Sequence, residues 1–256
     1  MSGLPIENSI LSFISRPRNK KTTTLIAITS INGIGTIDGT SGKLGNATDA
    51  QLFNSLRSLA DVVLVGTSTI KAENYGPVEL APEVPPYRVS IGQSPEVLMA
   101  TMSHSLNIEP DSDFVKKATT GPLIFTTPTS KLEPAEAQQH LARKNALLTA
   151  GAKIIEFDNL SIDKVVDWFH SHDLADVIVE GGPSIYRQAL ESGIVDEIFL
   201  TLAPWWVQFG ASTFGNREKS PGSAAASAPL SAQFELKDSF VADSHCFLRY
   251  QRKPSG

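Results

Sequence analysis

The chain contains a single cysteine, Cys246, in 256 residues. One thiol excludes an internal disulfide framework and any zinc site built from several cysteines. Cys246 lies in the run 244–248 (Ser-His-Cys-Phe-Leu), which is typical of a closing strand. We therefore expect a buried structural thiol rather than a nucleophile.

Clustered positive charge and long apolar runs are also scarce. The net charge of −5 argues against a nucleic-acid partner, because phosphate contacts need grouped lysines and arginines. The basic run at 16–21 (RPRNKK) is interpreted as a solvated N-terminal arm. No stretch approaches the length of a membrane span, and Glu7 and Asn8 interrupt any leader-like pattern. We expect a cytoplasmic protein with no membrane partner.

Short β-branched runs alternate with helical patterns along most of the chain. This alternation is typical of a mostly parallel sheet flanked by helices. The run Thr23–Ile31 is almost continuously apolar, which predicts a central strand that is buried on both faces. Two later runs, 234–240 and 245–251, predict an antiparallel pair at the sheet edge. We expect an N-terminal extension (1–22) and one domain (23–253), with a flexible loop at 210–232 that is rich in Ser, Ala, Gly and Pro.

Two local predictions concern the segments next to the second strand. Thr48 with Asp49 is expected to cap a helix that runs through Ala60. Five prolines in residues 76–95 predict a long surface excursion without a regular element.

The segment 177–184 (VIVEGGPS) is the most informative motif. A buried strand runs into two glycines, which let backbone N–H groups approach a ligand, and Pro183 suits the first turn of a helix. Ligands of open α/β sheets bind outside the carboxyl ends of the strands, and helix N-termini attract phosphate. We predict a cofactor site at Glu180, Gly181, Gly182, Pro183 and Ser184.

Two more loops follow strands that should end at the same edge of the sheet. One contributes Gly66, Thr67 and Thr69, and the other contributes Thr126 and Thr127 ahead of Lys131. An NADH site usually has an acid here for the ribose hydroxyls, whereas hydroxyls with a lysine suit the extra phosphate of NADPH. Taken singly, each loop also fits an ordinary turn or cap.

Together these segments resemble a known family. The resemblance is carried by 30–33 (SING), 56–66 (LRSLADVVLVG), 69–74 (TIKAEN), 180–183 (EGGP), 195–197 (VDE) and 202–204 (LAP). Over about residues 24–204 the chain resembles the C-terminal reductase domain of riboflavin biosynthesis. The resemblance implies a dihydrofolate-reductase-like, three-layer α/β/α fold with a mostly parallel central sheet and an antiparallel C-terminal edge. It also implies NADPH as hydride donor and a homodimer.

In that family the ribosyl group of a ribosylaminopyrimidine 5-phosphate is reduced to ribityl. By resemblance, Ser30, Asn32, Arg57 and Glu73 face the substrate. Arg57, a planar and always charged fork, is the expected phosphate clamp. Glu73 is the candidate catalytic residue that stabilises or protonates the reacting centre.

The chain departs from the family at several positions. Asn32 stands where an aspartate is usual, and no basic residue occurs in 75–80, so Arg88 is the remaining candidate to help bind phosphate. Trp205 and Trp206 replace a small turn and predict either packing, for example at a dimer interface, or a flat aromatic pocket. Cytidine-type zinc deamination is excluded, because no His-x-Glu with a downstream Cys-x-x-Cys is present.

Three functions therefore remain open. The first is the pyrimidine reductase itself. The second is a diverged NADPH reductase of another flat heterocycle, such as dihydrofolate. The third is a nucleotide-binding protein that has lost catalysis.

Overall fold

A computed structural model describes residues 8–15, 20–215 and 231–253. Within those ranges nine strands form one sheet in the order β5-β4-β3-β2-β6-β1-β7-β9-β8. The strands are β1 (Thr22–Ser30), β2 (Val62–Val65), β3 (Leu98–Met102), β4 (Leu123–Thr126), β5 (Lys153–Glu156), β6 (Asp176–Glu180), β7 (Glu197–Ala203), β8 (Phe234–Ala242) and β9 (His245–Arg252). Strands β1 to β7 pair in parallel, and β8 and β9 form an antiparallel edge.

Helices cover both faces of this sheet. They are α1 (Asn8–Ile14), α2 (Ala47–Leu59), α3 (Thr67–Ala72), α4 (Val84–Ser90), α5 (Asp113–Lys116), α6 (Pro134–Thr149), α7 (Ile162–Ser171) and α8 (Pro183–Glu191), with a 3₁₀ turn at Thr129–Lys131. Successive residues of β1 point to opposite faces, so Ile26 packs in the cluster with α1 and α2, and Leu25 in the cluster with α7 and α8. The expected three-layer α/β fold is confirmed.

The N-terminus of α2 is capped differently from the prediction. The helix begins at Ala47, and the side chain of Asn46 accepts the backbone N–H of Asp49 at 2.8 Å. The prediction that Thr48 and Asp49 form the cap was therefore wrong. Asparagine is as good an N-cap as the predicted residues, and Asn46 precedes Thr48 by two positions and Asp49 by three.

The proline-rich segment contains a helix, so the prediction of an irregular excursion was wrong. Pro85 and Pro86 occupy the first turn of α4, where a missing N–H costs nothing. Arg88 on this helix is fully buried and donates to the carbonyls of Ser58 and Ala60, at 2.8 and 2.7 Å. Its guanidinium therefore ties α4 to the end of α2, and Arg88 is not the missing phosphate ligand.

The first described helix packs on the domain. Phe13 of α1 is buried and makes edge-to-face contacts with Phe199 and Phe240, and Arg249 donates to its carbonyl at 3.0 Å. Cys246 lies in β9 as expected, but its side chain is only partly buried. No helix in the described ranges is long and apolar enough to cross a membrane.

Two further expectations concern the chain after β7. Trp205 and Trp206 are 49% and 66% exposed, so neither packs into the core of this chain. Most of the predicted flexible loop at 210–232 lies outside the described residues.

Candidate active site

A cavity of about 780 Å³ opens at the carboxyl ends of β1 and β6. Its walls come from the first turns of α2, α3 and α8 and from the loop after β1. This volume falls in the usual range of small-molecule sites. The place also agrees with the rule that ligands of α/β sheets bind beyond the carboxyl ends of their strands.

The turn from β6 into α8 forms one wall of the cavity. Gly181 and Gly182 have φ angles of +55° and +87°, a region that glycine enters without steric cost. A Cβ on Gly181 would lie 2.7 Å from the side chain of Thr69, and one on Gly66 would lie 2.7 Å from the Gly181 carbonyl oxygen. The two loops thus pack backbone against backbone, and the start of α8 meets the cavity without a bulky side chain.

Glu180 ends β6 with a fully buried carboxylate in the cavity wall. Arg57 Nε lies 3.2 Å from its Oε1, and the Tyr75 hydroxyl donates to Oε2. Burial raises the pKa of Glu180 to about 7; Arg57 opposes this rise, and the charge of Glu73 adds to it. At neutral pH this carboxyl group therefore holds a proton for a substantial part of the time.

Arg57 is enclosed by the same group of side chains. Its guanidinium lies 4.9 Å from the ring centre of Phe53 and 5.0 Å from that of Tyr75. It is not among the residues that line the cavity. The structure therefore places Arg57 behind Glu180, where it offsets the charge of the buried carboxylate.

Glu73 also lines the cavity, but in a different environment. It follows α3 on the surface, and its Oε1 accepts from the Ser41 N–H at 3.0 Å and from the Ser41 hydroxyl at 2.8 Å. Glu73 thus joins the loop after β1 to the end of α3.

Several side chains of the cavity were not predicted from the sequence, among them Asp49, Phe53 and Tyr75. Asp49 lies in the first turn of α2, its carboxylate accepts the Thr201 hydroxyl, and burial raises its pKa. Phe53 follows one turn later, and Tyr75 follows α3. The signal was an acid and an aromatic four residues apart, which places both on one face of a helix.

The predicted site residues divide into two groups. Those that line the cavity are Thr69, Glu73, Glu180, Gly181, Gly182 and Pro183. Those outside its lining are Ser30, Asn32, Arg57, Gly66, Thr67, Thr126, Thr127 and Ser184. Asn32 accepts from the Val207 N–H and donates to the Val207 carbonyl, which fastens the turn after β1 to the segment after β7.

The two threonines at the end of β4 lie at the same sheet edge but away from the cavity. The hydroxyl of Thr126 is buried 3.1 Å from His140, and that of Thr127 lies 3.0 Å from His104. Three strand spacings, about 14 Å, separate β4 from β6. A small ligand cannot bridge this distance, whereas an extended dinucleotide can.

Comparison with known proteins identifies the family of this chain. Residues 21–222 match the RibD C-terminal domain family. The chain belongs to this family. Among curated proteins, none matches the sequence.

Several solved structures share the RibD-type fold. A pyrimidine reductase-like protein of Corynebacterium diphtheriae is 29% identical, with a TM-score of 0.83, 97% of this chain covered and 100% of the other. RibD of Acinetobacter baumannii is 14% identical with a TM-score of 0.68, covering 92% of this chain and 59% of its own. The riboflavin biosynthesis reductase Rib7 of Saccharomyces cerevisiae is 16% identical with a TM-score of 0.56, covering 94% of each chain. Family membership supports an oxidoreductase of the riboflavin-pathway pyrimidine-reductase type.

Proposed function

We propose that this RibD-type chain is an NADPH-dependent reductase that converts the ribosyl group of a ribosylaminopyrimidine 5-phosphate to ribityl. The observation that carries the proposal is the buried Glu180 carboxyl, which combines a pKa of about 7 with a place in the cavity wall next to the start of α8. Acids with such pKa values concentrate where proton transfer is needed.

The residues present fit a nicotinamide dinucleotide. Gly181 and Gly182 bring no side chain into the cavity wall just before α8, where a phosphate or an amide group is favoured. At the end of β4, the Thr127 hydroxyl and the exposed ammonium of Lys131 suit the additional phosphate of NADPH. When bound, NADPH supplies the hydride for the reaction.

The chain itself supplies the proton. Reduction of the ring-opened ribosylamine adds a hydride to the anomeric carbon and a proton to the imine nitrogen, which becomes an amine. Glu180 is proposed as the donor, because burial keeps its carboxyl group partly protonated near pH 7. Tyr75 and Arg57 hold both carboxyl oxygens in place.

Glu73, the catalytic candidate from the sequence, is proposed here in a supporting role. One of its oxygens already accepts two hydrogen bonds from Ser41. The charge of Glu73 raises the pKa of Glu180 and so favours the protonated donor.

A second candidate, reduction of an unphosphorylated heterocycle such as dihydrofolate, is favoured by the charge of the cavity. Among the described residues that line it are the carboxylates Asp49, Glu73 and Glu180, and none of those lining residues is Lys, Arg or His. The negative side chains of this lining repel a substrate phosphate, and no positive side chain in the lining offsets that repulsion.

The test is to follow oxidation of NADPH with the ribosylaminopyrimidine 5-phosphate and, in parallel, with dihydrofolate. Turnover of the ribosylamine alone is the expected result, with NADH a much poorer donor. Turnover of dihydrofolate alone establishes the second candidate, and turnover of neither refutes both. The homodimer implied by the resemblance and the cytoplasmic location expected from the sequence remain predictions, and light scattering of the purified chain tests the first.

A further inference from the structure

Tyr186 is a buried ionisable group in the cavity wall that the proposed proton transfer does not use. It is the fourth residue of α8, and its side chain lines the cavity. Its hydroxyl donates to the Ile26 carbonyl at 2.5 Å and accepts the Gly181 N–H. Burial raises the pKa of Tyr186, so the hydroxyl keeps its proton and remains a donor.

These two hydrogen bonds take the place of one backbone hydrogen bond of the sheet. The register between β1 and β6 ends with the pair Ile26 and Glu180. In a regular parallel ladder the next N–H, that of Gly181, would donate directly to the Ile26 carbonyl. Here the Tyr186 hydroxyl stands between the two groups. The ends of β1 and β6 are therefore held apart by one oxygen atom at the point where the cavity opens.

The other side of the same turn is held by the loop after β2. The Gly66 N–H donates to the carbonyls of Gly181 and Glu180, at 3.1 and 3.4 Å. Gly181 leaves the strand with a φ of +55°, and a Cβ there would meet the side chain of Thr69 at 2.7 Å. The N–H of Gly181 is thus held by Tyr186 and its carbonyl by Gly66, which leaves this peptide little freedom.

The turn matters because Glu180 directly precedes it. Arg57 and Tyr75 contact only the carboxyl end of the Glu180 side chain. The backbone of Glu180 is fixed by the peptide that follows it, and the N–H of that peptide belongs to Gly181. A reacting group keeps its geometry only if the structure that carries it is also held. The hydroxyl of Tyr186 therefore acts on the position of Glu180 without touching its carboxyl group.

We propose that Tyr186 is a positioning residue, whose hydroxyl bridges Gly181 and Ile26 and thereby places the Glu180 carboxyl group for proton transfer. This inference rests on the proposed reductase function and adds a residue to it. A proton donor must lie within hydrogen-bond reach of the atom that it protonates, so a small displacement of its backbone slows the reaction. Phenylalanine at this position keeps the ring but cannot bridge the two backbone groups.

Amide hydrogen exchange tests the bridge without any substrate. In Tyr186→Phe, followed by NMR, the Gly181 amide is expected to exchange at least about tenfold faster than in wild type, because its acceptor is gone. The amides of Ile178 and Val179, in the middle of β6, should keep their protection. Their protection shows that the variant is folded.

Steady-state kinetics tests the role of the bridge, with NADPH and the substrate that wild type turns over. In Tyr186→Phe, kcat should fall about 30-fold while KM changes less than about twofold, because the donor is displaced and the binding surface is kept. Tyr250→Phe removes a hydroxyl from β9, outside the cavity lining, and is the matched control that should keep its kcat.

A double variant separates positioning of Glu180 from a general structural effect. When Tyr186→Phe is added to Glu180→Gln, kcat should fall less than about threefold further, because no proton donor is left to position. A residue that only supports the fold would lower kcat by the same factor in both backgrounds.

The outcomes distinguish this inference from the function on which it rests. Unchanged exchange of the Gly181 amide in Tyr186→Phe overturns the bridge. An unchanged kcat, or an equal loss in the Glu180→Gln background, overturns the positioning role and leaves the reductase function standing. Turnover of no substrate by wild type refutes the proposed function and the positioning role with it, and the exchange of Gly181 then still decides whether the bridge exists.

Discussion

Glu180 and Glu73 line the same cavity in opposite environments. Glu180 is buried at the end of β6 between Arg57 and Tyr75, whereas Glu73 is exposed after α3 and bonded to Ser41. Burial disfavours the charged form of Glu180, whereas one oxygen of Glu73 accepts two hydrogen bonds from Ser41 at the surface. Two glutamates in one cavity are therefore suited to different tasks, which residue type alone does not reveal.

The carboxyl groups of Glu73 and Glu180 also interact electrostatically. The charge of Glu73 raises the pKa of Glu180, and the charge of Arg57 opposes that rise. Removing the charge of Glu73 should therefore lower the pKa of Glu180, and removing the charge of Arg57 should raise it.

Removing the proposed donor should have the largest effect. Glu180→Gln keeps the shape of the side chain but carries no transferable proton, so kcat should fall about 1,000-fold. The measurement is steady-state kinetics with the substrate that wild type turns over. Glu156→Gln, which changes another strand-terminal glutamate outside the cavity lining, is the matched control and should keep its kcat. A loss confined to KM would show that Glu180 binds substrate and does not donate a proton.

Removing the cation behind Glu180 should have the next largest effect. Arg57→Met leaves the buried carboxyl group without its cation, and the free energy of unfolding should fall by about 3 kcal/mol at neutral pH. The pKa of Glu180 should rise above about 7, so the loss of activity with increasing pH should move to higher pH. Arg57→Lys keeps the positive charge and should move this loss of activity at high pH less. An unchanged pH–rate profile in Arg57→Met would contradict the assignment of its high-pH limb, the loss of activity with increasing pH, to Glu180.

The free energy of unfolding of Arg57→Met, measured in urea at a series of pH values, is an independent test of the shift in the pKa of Glu180. Because the folded-state pKa of Glu180 is raised from 4.5 to about 7, its contribution to stability is present below pH 4.5 and is lost as the pH rises through about 7. In Arg57→Met the loss should extend to higher pH. In Glu180→Gln this dependence should disappear.

Much of the fold was predictable because its elements have strong local signals. The start of α8 matches the prediction, since Pro183 suits a first helical turn, and the apolar run predicted as a central buried strand forms β1. Helix α4 was missed because Pro85 and Pro86 were interpreted as breakers, although both fit a first helical turn. The structural preference of a residue predicts local structure only when the position of that residue within its helix or strand is also known.

The site was harder to predict, because its geometry depends on contacts between distant residues. Tyr75 and Glu180 are 105 positions apart, and nothing in either segment indicates that they meet. The EGG turn was recognised from its glycines, which have a local backbone role. The role of Glu180 could not be assigned in the same way, because burial and the neighbouring Arg57 determine it.

Removing the exposed carboxylate should have the smallest effect. Glu73→Gln deletes a negative charge near Glu180, so the pKa of Glu180 should fall and the limb of the pH–rate profile should move to lower pH. The change in kcat at neutral pH should stay below about tenfold, because a neighbouring charge tunes the donor without replacing it. Ser41→Ala removes a hydrogen bond to Glu73 but keeps its charge, so it should leave the limb in place. A loss as large as that of Glu180→Gln would make Glu73 the proton donor.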